Sequence, residues 1–240
     1  MQRNPQNDLD ENGWELIPGA YDPEHLARIS ESLECIINLQ DSAVRQSDGA
    51  VYAARNVLQL VPNLPELWPV PIIVQTLRNV LGPHCGLVRA LYFDKPPQQT
   101  WALPWHKDLL IAITSGCPEA ENYSRPRLRA GVLHTEPPLE VLQSMLTVRI
   151  HLDPTTESNG CLRVLSGSHH SGKELIIEGY PMKSIHSRSG DALLMRPLLV
   201  HASGRSKPEC KEHRRVLHLE FAANEQLPGG VRWHTFHRVD

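Results

Sequence analysis

The chain has 240 residues, 40% hydrophobic and 21% charged, a composition that excludes a disordered, fibrous or membrane-spanning protein and fits a single globular domain over 1–240. Twenty-four Lys and Arg oppose 27 Asp and Glu for a formal charge of −3, so no global basic field favours nucleic acid. Five cysteines without Cys-x-x-Cys spacing suggest neither a disulfide framework nor a structural zinc site, and no apolar run approaches the roughly 18 residues of a membrane span. With no signal-peptide core at the N-terminus, the expectation is a cytoplasmic protein with reduced thiols and neither membrane nor nucleic-acid partners.

Asp22 followed by Pro23 is a helix start, a capping carboxylate before a proline at the first helical position. Leu26, Ile29, Leu33, Ile36 and Ile37 then recur at helical spacing. A second helix is predicted from Pro71 to Leu81, with Gly82-Pro83 as its stop. Beyond it the texture becomes short runs of Val, Ile and Leu: 87–93, 109–114, 146–153, 161–165, 191–194, 198–202 and 216–221. These read as strands, and the turn signals between most of them belong to a sandwich or barrel. The organisation expected is a mostly helical part over 1–84, a β core over 85–226 and a C-terminal extension over 227–240. A long polar connection at about 115–138 reads as a loop or lid, because structureless connections of that length in a compact domain are usually functional or mobile. A short amphipathic helix follows near 139–145.

Two His-x-Asp tripeptides occur, His106-Lys107-Asp108 and His151-Leu152-Asp153, where composition predicts about half an occurrence by chance. On a strand, residues two apart share a face, so either pair offers two ligands to a metal. A two-His, one-carboxylate iron site needs a third ligand and keeps coordination positions open. His201, at the end of a predicted buried strand, has the right character. Arg214 and Arg215 alternate on their strand and face opposite ways, so only one can enter the barrel. An arginine there can bind a carboxylate bidentately, with a hydroxyl such as that of Ser203 donating to the same oxygens.

The order of these segments, together with Ser158-Asn159-Gly160-Cys161-Leu162, Gly167-Ser168-His169 and Gly190-Asp191, resembles the phytanoyl-CoA dioxygenase family of iron(II)- and 2-oxoglutarate-dependent oxygenases over about half the chain. The resemblance implies a mainly β fold with flanking helices around a double-stranded β-helix, a jelly-roll of cupin type. It implies His106, Asp108 and His201 as the metal ligands, since the family's His-x-Asp precedes the Asn-Gly and Gly-Ser-His segments. It matches Ser203 and Arg214 to the pair gripping 2-oxoglutarate, although the segment from His201 to Arg214 is about two residues longer than usual and keeps Arg215 as an alternative. The family often has proline where this chain has Ser166. The implied activity uses Fe(II), 2-oxoglutarate and O2 to oxidise, most simply to hydroxylate, a small-molecule substrate with release of succinate and CO2. Asp108 bears on this, because related halide-transferring enzymes lack that carboxylate. The alternative is a cupin-like metal-dependent binding or isomerising protein that does not use 2-oxoglutarate.

Arg149 is the first candidate for a substrate or cosubstrate contact, with Thr147 and His151 on the same strand face. Arg55, after the first helix, is a further candidate for an acidic group. Arg125, Arg127 and Arg129 read as a solvated loop. His169-His170 point apart and form no metal pair, and His234 and His237 belong to a segment packing on the barrel. Oligomeric state is left open.

Overall fold

The computed structural model describes residues 5–37, 39, 41–47, 50–97 and 101–240, with backbone alone for 5–7, 37, 46–47 and 50–51. In chain order the strands are β1 (Trp14–Ile17), β2 (Val44–Ser47), β3 (Ala50–Ala54), β4 (Gly86–Lys95), β5 (Leu103–His106), β6 (Ile111–Ile113), β7 (Arg127–Arg129), β8 (Val132–Thr135), β9 (Met145–His151), β10 (Leu162–Leu165), β11 (Met182–Ile185), β12 (Ala192–Met195), β13 (His201–Ser203), β14 (Arg214–Ala222) and β15 (His237–Arg238). The helices are α1 (Pro5–Asn12), α2 (Pro23–Ile37), α3 (Val57–Leu60), α4 (Leu64–Leu67), α5 (Pro71–Leu81) and α6 (Leu139–Gln143).

Both long helices form where periodicity and capping place them. The Asp22 carboxylate accepts the His25 N–H at 2.7 Å, satisfying one of the first-turn donors of α2. Leu26, Ile29, Leu33 and Ile36 are buried on its inner face; the side chain of Ile37 lies outside the described residues. At the other end of α5, Gly82 has φ +92°, a conformation that glycine adopts without strain.

One large antiparallel sheet runs β1-β12-β9-β14-β4-β3-β2, with β15 also pairing β4. A smaller sheet runs β11-β10-β13-β5, and the two form a jelly-roll. Register divides the large sheet into two faces. Ala90 and Tyr92 on β4, Leu217 and Leu219 on β14, and Val148 and Ile150 on β9 pack against the helices in the main core. The opposite face carries Arg89, Leu91, Phe93 and Lys95 on β4, Arg214, Val216, His218 and Glu220 on β14, and Thr147, Arg149 and His151 on β9. Those rows turn toward the smaller sheet and hold the buried charged and polar residues Lys95, Thr147, Arg149, His151, Arg214, His218 and Glu220.

Several expectations are corrected. The mostly helical N-terminal part also contributes strands that were not expected: β1 seals the β12 edge, and β2 and β3 extend the sheet beyond β4. Their short, mixed-polarity sequences gave no clear alternation, because pairing across distant segments stabilises them. The 115–138 connection is not a free loop, since β7 and β8 form a hairpin that joins β6 as a third sheet. The strand expected at 198–202 spans only His201–Ser203, and the one at 146–153 ends at His151. His237 lies on a two-residue strand, and Arg55 follows β3 rather than the first helix. All five cysteines are free, and among the described residues no helix is long and apolar enough to cross a membrane.

Candidate metal centre and active-site cavity

His106 and His201 are cross-strand partners on β5 and β13, which brings their rings to a centroid separation of 4.2 Å. Asp108 sits beyond the end of β5, in a loop whose Asp108 N–H donates to the Pro197 carbonyl at 2.9 Å. This turns the carboxylate back toward the histidines: Oδ1 lies 4.0 Å from His106 Nε2 and Oδ2 lies 3.6 Å from His201 Nε2. One ligand atom from each of the three residues falls within 4.8 Å of the others.

The hydrogen bonds around this triad leave the ligand atoms free. His106 Nδ1 donates to the Pro104 carbonyl at 2.7 Å and His201 Nδ1 to the Leu199 carbonyl at 2.9 Å. A carbonyl only accepts, so each Nδ1 carries the hydrogen and each Nε2 keeps its lone pair. Burial is the main influence on His201 and, with the charge of His106 against the opposing pull of Asp108, holds its pKa down to about 4. The ring is therefore neutral near pH 7, as a metal ligand must be. Burial would raise Asp108, but His201, His218, His106 and Arg149 outweigh it and hold the carboxyl at about 2. Its Oδ2 is buried without a hydrogen-bond partner. Two neutral nitrogens and an anionic oxygen suit a divalent cation such as iron(II).

The Gly-Ser-His segment fixes both halves of the triad. Ser168 Oγ accepts the Val200 N–H at 2.8 Å, next to His201. Lys107, between His106 and Asp108, donates through Nζ to the Ser168 carbonyl at 3.1 Å, to Ser171 Oγ at 2.8 Å and to the Gly172 carbonyl at 2.6 Å. His169 and His170 do not point apart as a strand would require: they lie on a short 3-10 turn with ring centroids 3.9 Å apart and planes tilted by 38°, and His169 Nε2 faces the Asp10 carbonyl at 3.2 Å.

A small cavity of ≈ 50 Å³ adjoins the triad, lined among others by Trp101, Arg149, Ser203, Arg214 and His218. Arg214 is buried, and its Nη1 donates to the Gly160 carbonyl at 2.6 Å. Its Nε and Ser203 Oγ have no partner. Behind them the Trp101 ring lies 5.6 Å from the Arg214 guanidinium and 4.7 Å from Lys95 Nζ. Lys95 is fully buried and donates to the Gly204 carbonyl at 2.6 Å; burial, then Arg214, lowers its pKa to about 7. Gly160 has φ +71°, and a Cβ there would meet the Gly204 oxygen at 2.3 Å. Only glycine lets this turn approach β13 closely enough to present its carbonyl to Arg214.

The rival motif is taken apart by the same register. Arg215 faces away from the cavity and pairs with Asp153, Nε to Oδ2 and Nη2 to Oδ1 both at 2.8 Å. His151 is buried, with Nδ1 2.9 Å from Thr155 Oγ1, and burial followed by Arg149 and Arg214 lowers its pKa to about 3. His151 and Asp153 therefore serve different partners and do not form a ligand pair. Thr147 and His151 line neither the small cavity nor its larger neighbour, whereas Arg149 lines the small one. Arg149 Nη1 donates to His218 Nδ1 at 2.9 Å, and His218 Nε2 lies 3.4 Å from Glu220 Oε1.

The larger cavity, ≈ 590 Å³, runs from His106 and Asp108 past Leu91, Phe93 and Tyr52 to Arg45, Arg55, Arg89 and Arg129. Arg129, exposed on β7, is thus placed with Arg55 at the cavity rim and sits on a strand rather than in a loop. Sequence reasoning missed His218, Lys95, Lys107, Arg45 and Arg89. Lys107 was inside a quoted motif, and the i, i+2 rule applied from Arg214 along β14 leads to His218 and Glu220; the others carry no local signal.

Fold and site together define a jelly-roll protein with a two-histidine, one-carboxylate centre at the mouth of a cavity. Residues 9–216 match the family described as Phytanoyl-CoA dioxygenase (PhyH), and the chain belongs to that family. Among solved structures it is similar in fold to EctD from S. alaskensis in its apoform (TM-score 0.70, 14% identity, 100% of this chain and 89% of that one). It is similar also to the non-heme alpha ketoglutarate dependent carbocyclase SnoK from nogalamycin biosynthesis (0.68, 15%, 100% and 97%) and to AviO1 from Streptomyces viridochromogenes Tue57 (0.65, 18%, 93% and 96%). Of another neighbour, EvdMO1, it spans 49% of the length.

Proposed function

We propose that the protein is an Fe(II)- and 2-oxoglutarate-dependent oxygenase that hydroxylates a small-molecule substrate. The observation that carries this reading is the convergence on one cavity of three ligand atoms within 4.8 Å, a buried guanidinium whose Nε is left without a partner and a buried hydroxyl likewise unpartnered. His106 and His201 hold iron through Nε2 and Asp108 through its carboxylate. When bound, iron with 2-oxoglutarate and O2 supplies oxidation of an unactivated C–H bond, with succinate and CO2 released.

The chain's own residues bind, orient and shield. Arg214 offers Nε and the remainder of its fork to the far carboxylate of 2-oxoglutarate, and Ser203 donates to the same group. Gly160 and Trp101 hold that fork in place before any ligand arrives, so less side-chain freedom is lost on binding. Arg149, fixed by His218, adds a second positive charge to the small cavity. Leu91, Phe93, Leu103 and Leu162 form its apolar wall and limit the water around the reacting centre. The carbocyclase and epimerase among proteins of this fold differ from a hydroxylase in outcome, and hydroxylation is favoured here as the simplest outcome of the same oxidation.

The test is an anaerobic titration with iron(II) and then 2-oxoglutarate, following the visible charge-transfer band of a keto acid chelated to iron. A band in the wild type that vanishes in Asp108→Ala supports the reading. Bound iron without a band overturns it in favour of cupin-like metal chemistry.

A further inference from the structure

We propose that the far end of the larger cavity receives a phosphoryl-type dianion on the substrate, with Arg45, Arg55 and Arg129 as its cradle. The inference rests on the oxygenase reading only in taking the inner end of that cavity as the place of oxidation.

Four guanidinium groups line this cavity, and they are not equivalent. Arg89 is already engaged, donating to Glu220 Oε1 at 3.2 Å and to the Leu110 carbonyl at 3.2 Å. The side chains of Arg55 and of the exposed Arg45 and Arg129 have no hydrogen-bond or ion-pair partner among the described residues. Arg55 is partly buried, and after burial the charges of Arg89, Arg45 and Arg129 each lower its pKa, so the cations lie close enough to repel one another. Such repulsion is relieved by an anion and by nothing that these side chains do for each other.

The cluster is held together by strained backbone. Asn56 has φ +55° and Ala130 has φ +49°, and each is the residue next to one of the arginines. Asn56 Nδ2 donates to the Ala130 carbonyl at 2.7 Å, tying the loop after β3 to the β7–β8 turn. The left-handed conformation is uncommon for non-glycine residues and clusters at ligand-binding positions. Here it sets Arg55 and Arg129, 74 residues apart, on one cavity wall.

Charge and shape then specify the ligand class. A monocarboxylate would match one guanidinium and leave two unpaired, whereas a phosphoryl dianion offers three oxygens and two charges. The wall of this cavity also carries Tyr52, Leu91, Phe93 and Leu109, and Leu91 and Phe93 line the small cavity at the metal ligands as well. The substrate therefore has an anionic head and an apolar body, with the oxidised carbon on the body.

The test uses phenyl phosphate, which combines these two parts, in isothermal titration against the iron-free protein without 2-oxoglutarate. Saturable binding is expected, weakened about tenfold or more in Arg55→Gln and in Arg129→Gln. Arg127→Gln, on the exposed β7 and outside this cavity, should bind as the wild type does. Benzoate, of similar body but one charge, should bind about tenfold or more weakly than phenyl phosphate. Absence of phenyl phosphate binding, equal affinity in Arg55→Gln and Arg127→Gln, or benzoate binding as tightly would each overturn the proposal. The keto-acid band is read separately. Its absence alongside intact, arginine-dependent phenyl phosphate binding would sink the oxygenase reading and sustain this site, and the reverse pattern would sink this site alone.

Discussion

Lys107 donates to the carbonyl of Ser168 at 3.1 Å while the Ser168 hydroxyl accepts from Val200 at 2.8 Å. One serine thus fixes the loop bearing Asp108 and the strand bearing His201. Lys107→Met should lower iron(II) affinity roughly 10- to 100-fold, the usual scale for losing a group that orients ligands. Competition with a chelator measures this, and unchanged iron affinity would refute the positioning role even if the melting temperature falls.

Arg214→Gln removes one partner of a buried charged contact, which typically costs about 2 to 5 kcal/mol. The 2-oxoglutarate concentration for half-maximal band intensity should rise accordingly. Arg215→Gln, on the other face of β14, should leave that concentration unchanged. Equal effects of the two substitutions would remove Arg214 from the proposed clamp.

The Asp153–Arg215 pair should make stability depend on acid. Burial raises the Asp153 pKa, but the Arg215 hydrogen bonds and charge outweigh it and leave the carboxyl below its ordinary value. A depressed acid contributes stability that is present above the unfolded pKa, about 3.9, and is lost as pH falls through the folded value. Urea midpoints of wild type and Asp153→Asn should differ at pH 6 and converge as pH falls through the folded-state value. A constant difference across that range would contradict the linkage.

His151→Ala should retain stoichiometric iron(II), since His151 bonds Thr155 and not the triad, while His106→Ala and His201→Ala should lose it. Truncating the buried ring should also destabilise the fold by about 1 to 3 kcal/mol, because Thr155 and Arg149 lose a polar neighbour. Iron loss in His151→Ala with retention in His106→Ala would reverse the ligand assignment.

Gly160→Ala tests the turn behind the clamp. A Cβ at φ +71° would approach the Gly204 oxygen to 2.3 Å, so the turn must shift, at a strain cost of about 1 to 3 kcal/mol. The Gly160 carbonyl would then move from Arg214, and 2-oxoglutarate affinity should fall with stability. Unaltered affinity in a folded variant would show that Arg214 is held by other means.

What was legible in the sequence follows from how local each signal is. The α5 boundaries, Pro71 to Leu81, were read correctly because proline and glycine act within a turn of their own positions. The His-x-Asp spacing offers Asp108 and Asp153 alike, and only the family's segment order selects Asp108; the strand-face reason does not hold for it, since it lies past the end of β5 and is aimed by its N–H bond to Pro197. Strands β1, β2 and β3 were missed because their stability comes from partners far along the chain. Lys95 and Arg45 carry no local motif, and only the register of β4 with β14 and of β2 with β3 gives them meaning.

Ser166, where the family often has proline, takes part in a connection of wider reach. Its N–H donates to the Pro181 carbonyl at 2.9 Å and its hydroxyl accepts from Trp14 Nε1 at 2.8 Å, while the Gly167 N–H donates to the Asn12 carbonyl at 2.9 Å. A proline would provide neither of the Ser166 bonds. Residues 12–14 are thereby moored to the turn that holds Lys107 and Val200, so trimming the chain past Ile17 would bare the edge of β12 to other molecules and slacken the scaffold of the metal centre in the same stroke.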